Sequence, residues 1–237
     1  MSDMQELGVE QFFQQFYPQL SKEALIIDDR WNPGGNVDEM VLERLRRVLS
    51  SMQTGRDRVP QTQPDQIMTG PKVMLINQNS ASDGDVFPFH FRSYGLGELI
   101  GTRTWGGVRG LRTGWPLLDG GNVIVPEITF YDLRDRWAVE NRGVEPDVEV
   151  ADVPGEFLQD HDIQLETAVQ RLMMKIGPVP RDKLNPPSDL PAYAPGGIVP
   201  PSFQSKSTVC PAKHEVESLP YQAVHARAET ACSSASH

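Results

Sequence analysis

The chain has 237 residues, 22 basic and 32 acidic, with a formal net charge of −10 and 38% apolar content, a length that suits one large domain or a domain with a tail. An acidic chain without a Lys/Arg run has no phosphate-binding stripe, which argues against nucleic acid and anionic membrane surfaces as partners and leaves cationic peptides or small solutes. No run approaches the ~18 apolar residues that span a bilayer, and the first 20 residues lack the basic start and apolar core of a secretion signal, so a cytoplasmic location is expected.

In chain order, residues 6–20 read as an amphipathic helix stopped at Pro18. ALIID (24–28) is a compact apolar run that suits a buried strand; it leads through the turn Arg30–Asn36 into a helix from Asp38 to about Leu49. After a polar connection over 50–70, KVMLIN (72–77) repeats the pattern: strand, polar loop 78–81, helix from Asp83 to Tyr94. Glycine-rich residues 95–126 favour short strands and tight turns, with Asp119-Gly-Gly-Asn122 as a hairpin turn. Short strands are expected at Ile128–Tyr131 and Val148–Val150, and an amphipathic helix over 160–176, closed by Gly177 and Pro178. Ten of the 20 prolines lie in 178–237; that stretch buries too little apolar surface to offset chain ordering and is expected to be disordered. All of the excess negative charge lies before Pro178, which separates 17 basic and 27 acidic residues from five of each. The fold class is therefore α/β, with a disordered Pro-rich C-terminal tail after a domain spanning 1–177.

Two strand-to-helix turns could carry chemistry. Ser82 stands at a helix start, where the partial positive charge and unpaired N–H groups of the helix end suit a serine nucleophile. The same residue, with Asp85 three positions on, also reads as an ordinary capping box. In Asn32-Pro-Gly-Gly-Asn36, the glycine pair can aim backbone N–H groups at a ligand, and one such N–H plus the amide after a nucleophile would make an oxyanion hole; a plain turn is the alternative. The other glycines match no dinucleotide or P-loop pattern. His90 lies eight residues beyond Ser82, about 12 Å of helix rise, so it cannot serve as the base of Ser82 within one subunit. His161, His214, His225 and His237 show no metal-ligand spacing, and Cys210 and Cys232 both lie beyond 177, leaving the body without a disulfide or thiolate framework. Neither a cofactor nor a metal is expected.

Four segments, ALIIDDRWNPGGNV, LINQNSASDGDVFPFHF, LIGTRTWGGVRG and VENRGVEPDVEV, resemble in order the C-terminal catalytic segment of the tricorn proteases, within the tail-specific (C-terminal processing) serine peptidases. The similarity covers roughly residues 3–176. It implies a ClpP/crotonase-like core of stacked strand-turn-helix units and serine-type cleavage of peptide bonds by acyl transfer. By that resemblance Ser82 is the nucleophile, the N–H groups of Gly35 and Asp83 form the oxyanion hole, and Glu140 belongs to the relay that orients the catalytic histidine. The resemblance further implies peptide substrates and a homo-oligomer. In that family the general-base histidine lies upstream of a PDZ-like insert; none of the 81 residues before Ser82 is histidine. The chain is therefore expected to be an incomplete peptidase or a non-catalytic peptide-binding or assembly fragment. A crotonase-like acyl-CoA enzyme is the third reading, but no basic cluster for the CoA phosphates is visible.

Overall fold

KVMLI is the centre of the molecule because it is apolar on both faces. In the computed structural model, which describes residues 1–55, 57–151, 153, 155, 161–177 and 184–187, this segment is strand β4 (Lys72–Ile76), buried from Val73 to Ile76. Two further strands precede it as a hairpin, β2 (Ser51–Gln53) and β3 (Gln61–Gln63). β4 lies between β1 (Leu25–Asp28) and β5 (Gly97–Gly101), with β8 (Val148–Glu149) beyond β5; the order is β1-β4-β5-β8 and every pairing is parallel. Parallel strands read as continuous apolar runs because helices cover both faces.

Alternate β4 residues serve two cores. Met74 and Ile76 join Leu25, Ile27 and Leu99 beneath α1 (Glu6–Phe16), α2 (Asp38–Leu45) and α3 (Asp83–Ser93). Val73 and Leu75 join Ile100 against Ala168 and Leu172 of α4 (Ile163–Lys175) on the other face. Each such buried Leu or Ile contributes about 1.5–3 kcal/mol. Arg30, just beyond β1, ties the α4 side down: its guanidinium bonds Asp28, the α4 N-cap Asp162 and Gln164.

The expected α/β core of strand-turn-helix units is therefore present: β1-turn-α2 and β4-turn-α3 lie side by side, with both turns at the C-terminal ends of adjacent strands, where open α/β sheets place their sites. Other expectations are corrected. The first helix ends at Phe16 and continues as a 3₁₀ turn, Tyr17–Gln19. The second helix ends at Leu45 instead of Leu49, because Ser50 N–H already donates to Gln63 O and commits the chain to the β2–β3 hairpin, which the polar sequence did not reveal. The glycine-rich region forms β5 and a separate hairpin, β6 (Gly110–Pro116) with β7 (Asn122–Ile128), turning at the expected 119–122. The strand expected at 128–131 is absent; the ladder ends at the Gly110–Ile128 pair, and Tyr131 keeps one bridge, to Trp137. The chain divides into a unit Met1–Leu184 and a second, Asn185–His237. The expected disordered tail, with its boundary at 177, falls outside the described residues except for 184–187.

Candidate active site

Ser82 stands in a backbone conformation, φ 55°, ψ −118°, that L-residues rarely adopt. Such a residue costs on the order of 1–3 kcal/mol and persists only where its surroundings impose it. Here they do. Ser80 Oγ donates to Asp29 O at 2.8 Å, Ala81 N–H to Asn32 O at 2.8 Å and Gly84 N–H to Ala81 O at 2.8 Å, so the turn after β4 is stitched to the turn after β1. The chain enters α3 through these backbone bonds, and the Ser82 hydroxyl makes no capping bond. The capping-box reading is corrected accordingly. Only the carboxylate half of such a box is present, from the Ser82 amide to Asp85; the same carboxylate accepts from Gly106 N–H at 2.7 Å and Gly107 N–H at 3.3 Å, in the loop after β5. Burial raises its pKa, against the lowering effect of bonds from Thr104, Gly106, Gly107 and the Ser82 amide.

The glycine pair sits directly against this elbow. Gly34, at φ 99°, is buried, and a Cβ there would lie 2.6 Å from Ser82 Cβ and 2.7 Å from Asp83 N; only glycine fits. Gly35 is exposed, and a Cβ on it would overlap Met4 O. Met4 bonds the flanking groups, Gly34 O at 2.9 Å and Asn36 N–H at 2.7 Å. Those bonds leave the Gly35 N–H uncommitted. The Asp83 N–H, in the first turn of α3, is likewise outside the helix ladder, as the first amides of any helix are. Beneath the pair, Asn32 Oδ1 accepts from Gly34 N–H at 3.0 Å and Asn32 Nδ2 donates to Asp29 Oδ1 at 2.8 Å. Asp29 is fully buried, with its carboxyl pushed well up by that burial.

The Asp83 side chain joins the two turns from behind. Its Oδ2 accepts from Val37 N–H at 3.1 Å and Asp38 N–H at 3.2 Å, the first amides of α2. Asp38 Oδ2 lies 3.2 Å from His90 Nδ1. Burial, and next the adjacent Asp38 charge, push the Asp83 carboxyl up to about 7.

Glu140 lies between two residues in the left-handed region, Val139 (φ 68°) and Asn141 (φ 58°). Its Oε2 accepts from Val108 N–H at 2.9 Å, and Oε1 lies 3.6 Å from Arg109 Nε. These bonds run to the loop that Asp85 also holds, not to Ser82. Ser82, Asp83 and Gly35 are thus brought together, and Glu140 is connected to them through the 106–109 loop. His90 is engaged by Asp38, and His161 is exposed 3.3 Å from Glu166. Among the described residues no group of His, Cys, Asp and Glu is arranged to hold a metal ion, and no helix is long and apolar enough to cross a membrane. A cavity of about 450 Å³ near Lys72 lies at the opposite, N-terminal ends of β1 and β4.

Sequence reasoning missed the buried polar set that shapes the turns: Asp29, Asn32, Asn77, Ser80 and Thr104, all fully buried. A polar residue closing each apolar strand run, Asp29 after LIID and Asn77 after KVMLI, was the available sign.

This α/β arrangement belongs to a known class: the chain is a member of peptidase family S41, whose profile matches residues 1–150. Within that family the similarity is to tricorn proteases. The chain is 36% identical over 174 residues to the tricorn protease of Thermoplasma acidophilum, covering 73% of this chain and 16% of that protein. It is 36% identical over 178 residues to a putative tricorn-like protease C-terminal subunit of Sulfurisphaera tokodaii, covering 73% and 20%. The crystal structure of the tricorn protease superposes with a TM-score of 0.70 at 35% identity, over 74% of this chain and 17% of that one. A putative peptidase from Parabacteroides merdae, 20% identical with a TM-score of 0.53, shares the fold. The chain spans 16–20% of the length of the two curated relatives described above.

Proposed function

We propose that residues 1–177 are the nucleophile-bearing part of a serine peptidase that cleaves peptide bonds by acyl transfer through Ser82. One observation carries this reading: a strained serine with an uncommitted hydroxyl stands beside two uncommitted backbone amides on adjacent turns. Ser82 Oγ attacks the scissile carbonyl carbon while a general base takes its proton. The carbonyl π electrons move to oxygen, and that oxyanion accepts from Gly35 N–H and Asp83 N–H, aided by the positive end of α3. The tetrahedral adduct then expels the amine, which takes the proton back from the base, leaving an ester on Ser82. Water, deprotonated by the same base, hydrolyses that ester and restores the hydroxyl. An oxyanion donor of this kind is worth about 2.7–4 kcal/mol in the transition state, and the base most of the remaining rate.

Neither His90 nor His161 is placed to act as that base, so we assign the base to a histidine on another segment or chain, oriented with help from Glu140. Peptide substrates, homo-oligomeric assembly and a cytoplasmic setting belong to the same proposal and rest on the likeness to the tricorn proteases. Added imidazole can stand in for a missing histidine. The expected result is imidazole-dependent hydrolysis of a peptide p-nitrophenyl ester above that of Ser82→Ala; equal rates in the two would overturn the reading. Among the described residues no histidine stands beside Ser82, which also favours a second reading, a non-catalytic peptide-binding or assembly subunit. That reading expects equal peptide affinity and no imidazole-dependent difference between wild type and Ser82→Ala.

A further inference from the structure

We infer that Asp83, Asp38 and His90 act through their side chains as a clamp that fixes the spacing of the two amide donors, making all three positioning residues. The inference rests on the peptidase reading above, yet its geometry is independent of Ser82 chemistry. Gly35 is followed within three residues by the start of α2, so wherever the first amides of α2 are held, the Gly35 amide is held as well. Asp83 Oδ2 holds them, at 3.1 Å from Val37 N and 3.2 Å from Asp38 N. Asp83 also contributes the second donor, its own N–H. One residue therefore carries one donor on its backbone and fixes the other through its side chain. The clamp is closed from the far side, where His90, two turns along α3, approaches Asp38 Oδ2 at 3.2 Å through Nδ1. Asp38 and Asp83 are both buried, so the three groups form one network joining α2 to α3.

Two neighbouring carboxyls in a buried place favour sharing one proton. With that proton, Asp83 donates to Asp38 while its other oxygen keeps both α2 amides. Without it, two negative charges face each other across the joint and a third negative group, the bound oxyanion, is disfavoured next to them. The titratable groups facing Asp83 are Asp38 on α2 and Asp29 beyond β1, and His90 on α3 faces Asp38 from its other side; Asp85, on the same helix, is turned to Gly106 and Gly107. The Asp83 carboxyl lies at about 7, so the competent, singly protonated clamp is lost as pH rises through neutrality.

The test follows Ser82 phosphonylation by a fluorophosphonate across pH 5.5–8.5, at a fixed concentration of free-base imidazole so that the titration of the added base drops out of the rate, with the Gly35 and Asp83 amide resonances followed by NMR on the same samples. Wild type is expected to show an inflection near pH 7 in both. Asp83→Asn, neutral at every pH and still able to bond the α2 amides, should lose the inflection. Asp38→Asn, which removes the facing charge, should move it to lower pH. Asp83→Ala should label about tenfold more slowly at pH 6. His90→Asn, which keeps a donor near Nδ1, should restore labelling that His90→Phe reduces. An unchanged inflection in Asp83→Asn, or wild-type labelling by Asp83→Ala, would overturn the clamp. If wild-type Ser82 is never labelled while the amide resonances titrate as described, the peptidase reading fails and the clamp stands.

Discussion

The paired turns after β1 and β4 and the β6–β7 hairpin are both strand-flanked loops rich in glycine, yet they are built on opposite terms. In the turns, backbone position is fixed by buried polar groups, Asp29, Asn32, Ser80 and Asp83, each bonded to a neighbouring main-chain or side-chain group. In the hairpin, β7 is exposed along its whole length, and Leu111, Trp115, Leu118, Ile124 and Ile128 face outward. A two-stranded sheet with no layer against it is marginal in water. The difference teaches where this chain holds its rigidity. Ser82 is kept in a costly conformation by a buried hydrogen-bonded network, whereas the β7 residues of the hairpin stand exposed.

Several substitutions would break that contrast if it were wrong. The largest effect is expected from Leu75→Ala, which opens a cavity under α4 and should cost about 2–5 kcal/mol by chemical denaturation; Ile124→Ala in β7 should stay within about 0.5 kcal/mol. Equal losses at the two sites would mean that the hairpin is as well packed as the core. Gly34→Ala comes next. It places a side chain at φ 99° and 2.6 Å from Ser82 Cβ, which should cost about 1–3 kcal/mol and displace the elbow, so a retained melting temperature would contradict the tight turn. Amide exchange sharpens the same contrast without mutation: Val73–Ile76 amides should exchange near the global opening rate and those of β7 orders of magnitude faster.

The smallest effect concerns Glu98, whose carboxyl is held at about 2 by Arg171, then Lys175, against opposing desolvation. Its folded pKa lies below the unfolded value. Its contribution is therefore present above about pH 4.5 and lost as pH falls toward 2, and should stay within ~1 kcal/mol because water screens the pair. Glu98→Gln should flatten that part of the acid unfolding curve; a curve superposable on wild type would deny the pairing any weight.

How much was readable in advance follows the same division. ALIID and KVMLIN announce buried parallel strands because both faces must be apolar, and the two turns announce themselves by glycine and serine at helix starts. The β2–β3 hairpin was not readable, since Ser51–Gln53 and Gln61–Gln63 have too few apolar residues to alternate. Ile128–Tyr131 has strand-forming side chains, but pairing register, not propensity, ends β7 at Ile128. At the site, Ser82 and Gly35 were visible as types in a pattern. The carboxylate work of Asp83 and Asp85 was not, because their partners Val37, Asp38, Gly106 and Gly107 lie 21–46 residues away.

The most direct test of Ser82 as nucleophile is peptide mapping by mass spectrometry after fluorophosphonate treatment in imidazole buffer. A single phosphonyl adduct on Ser82, absent from Ser82→Ala and reduced in Gly34→Ala, is the expected result. An adduct on another residue, or equal adduct in wild type and Ser82→Ala, would contradict it.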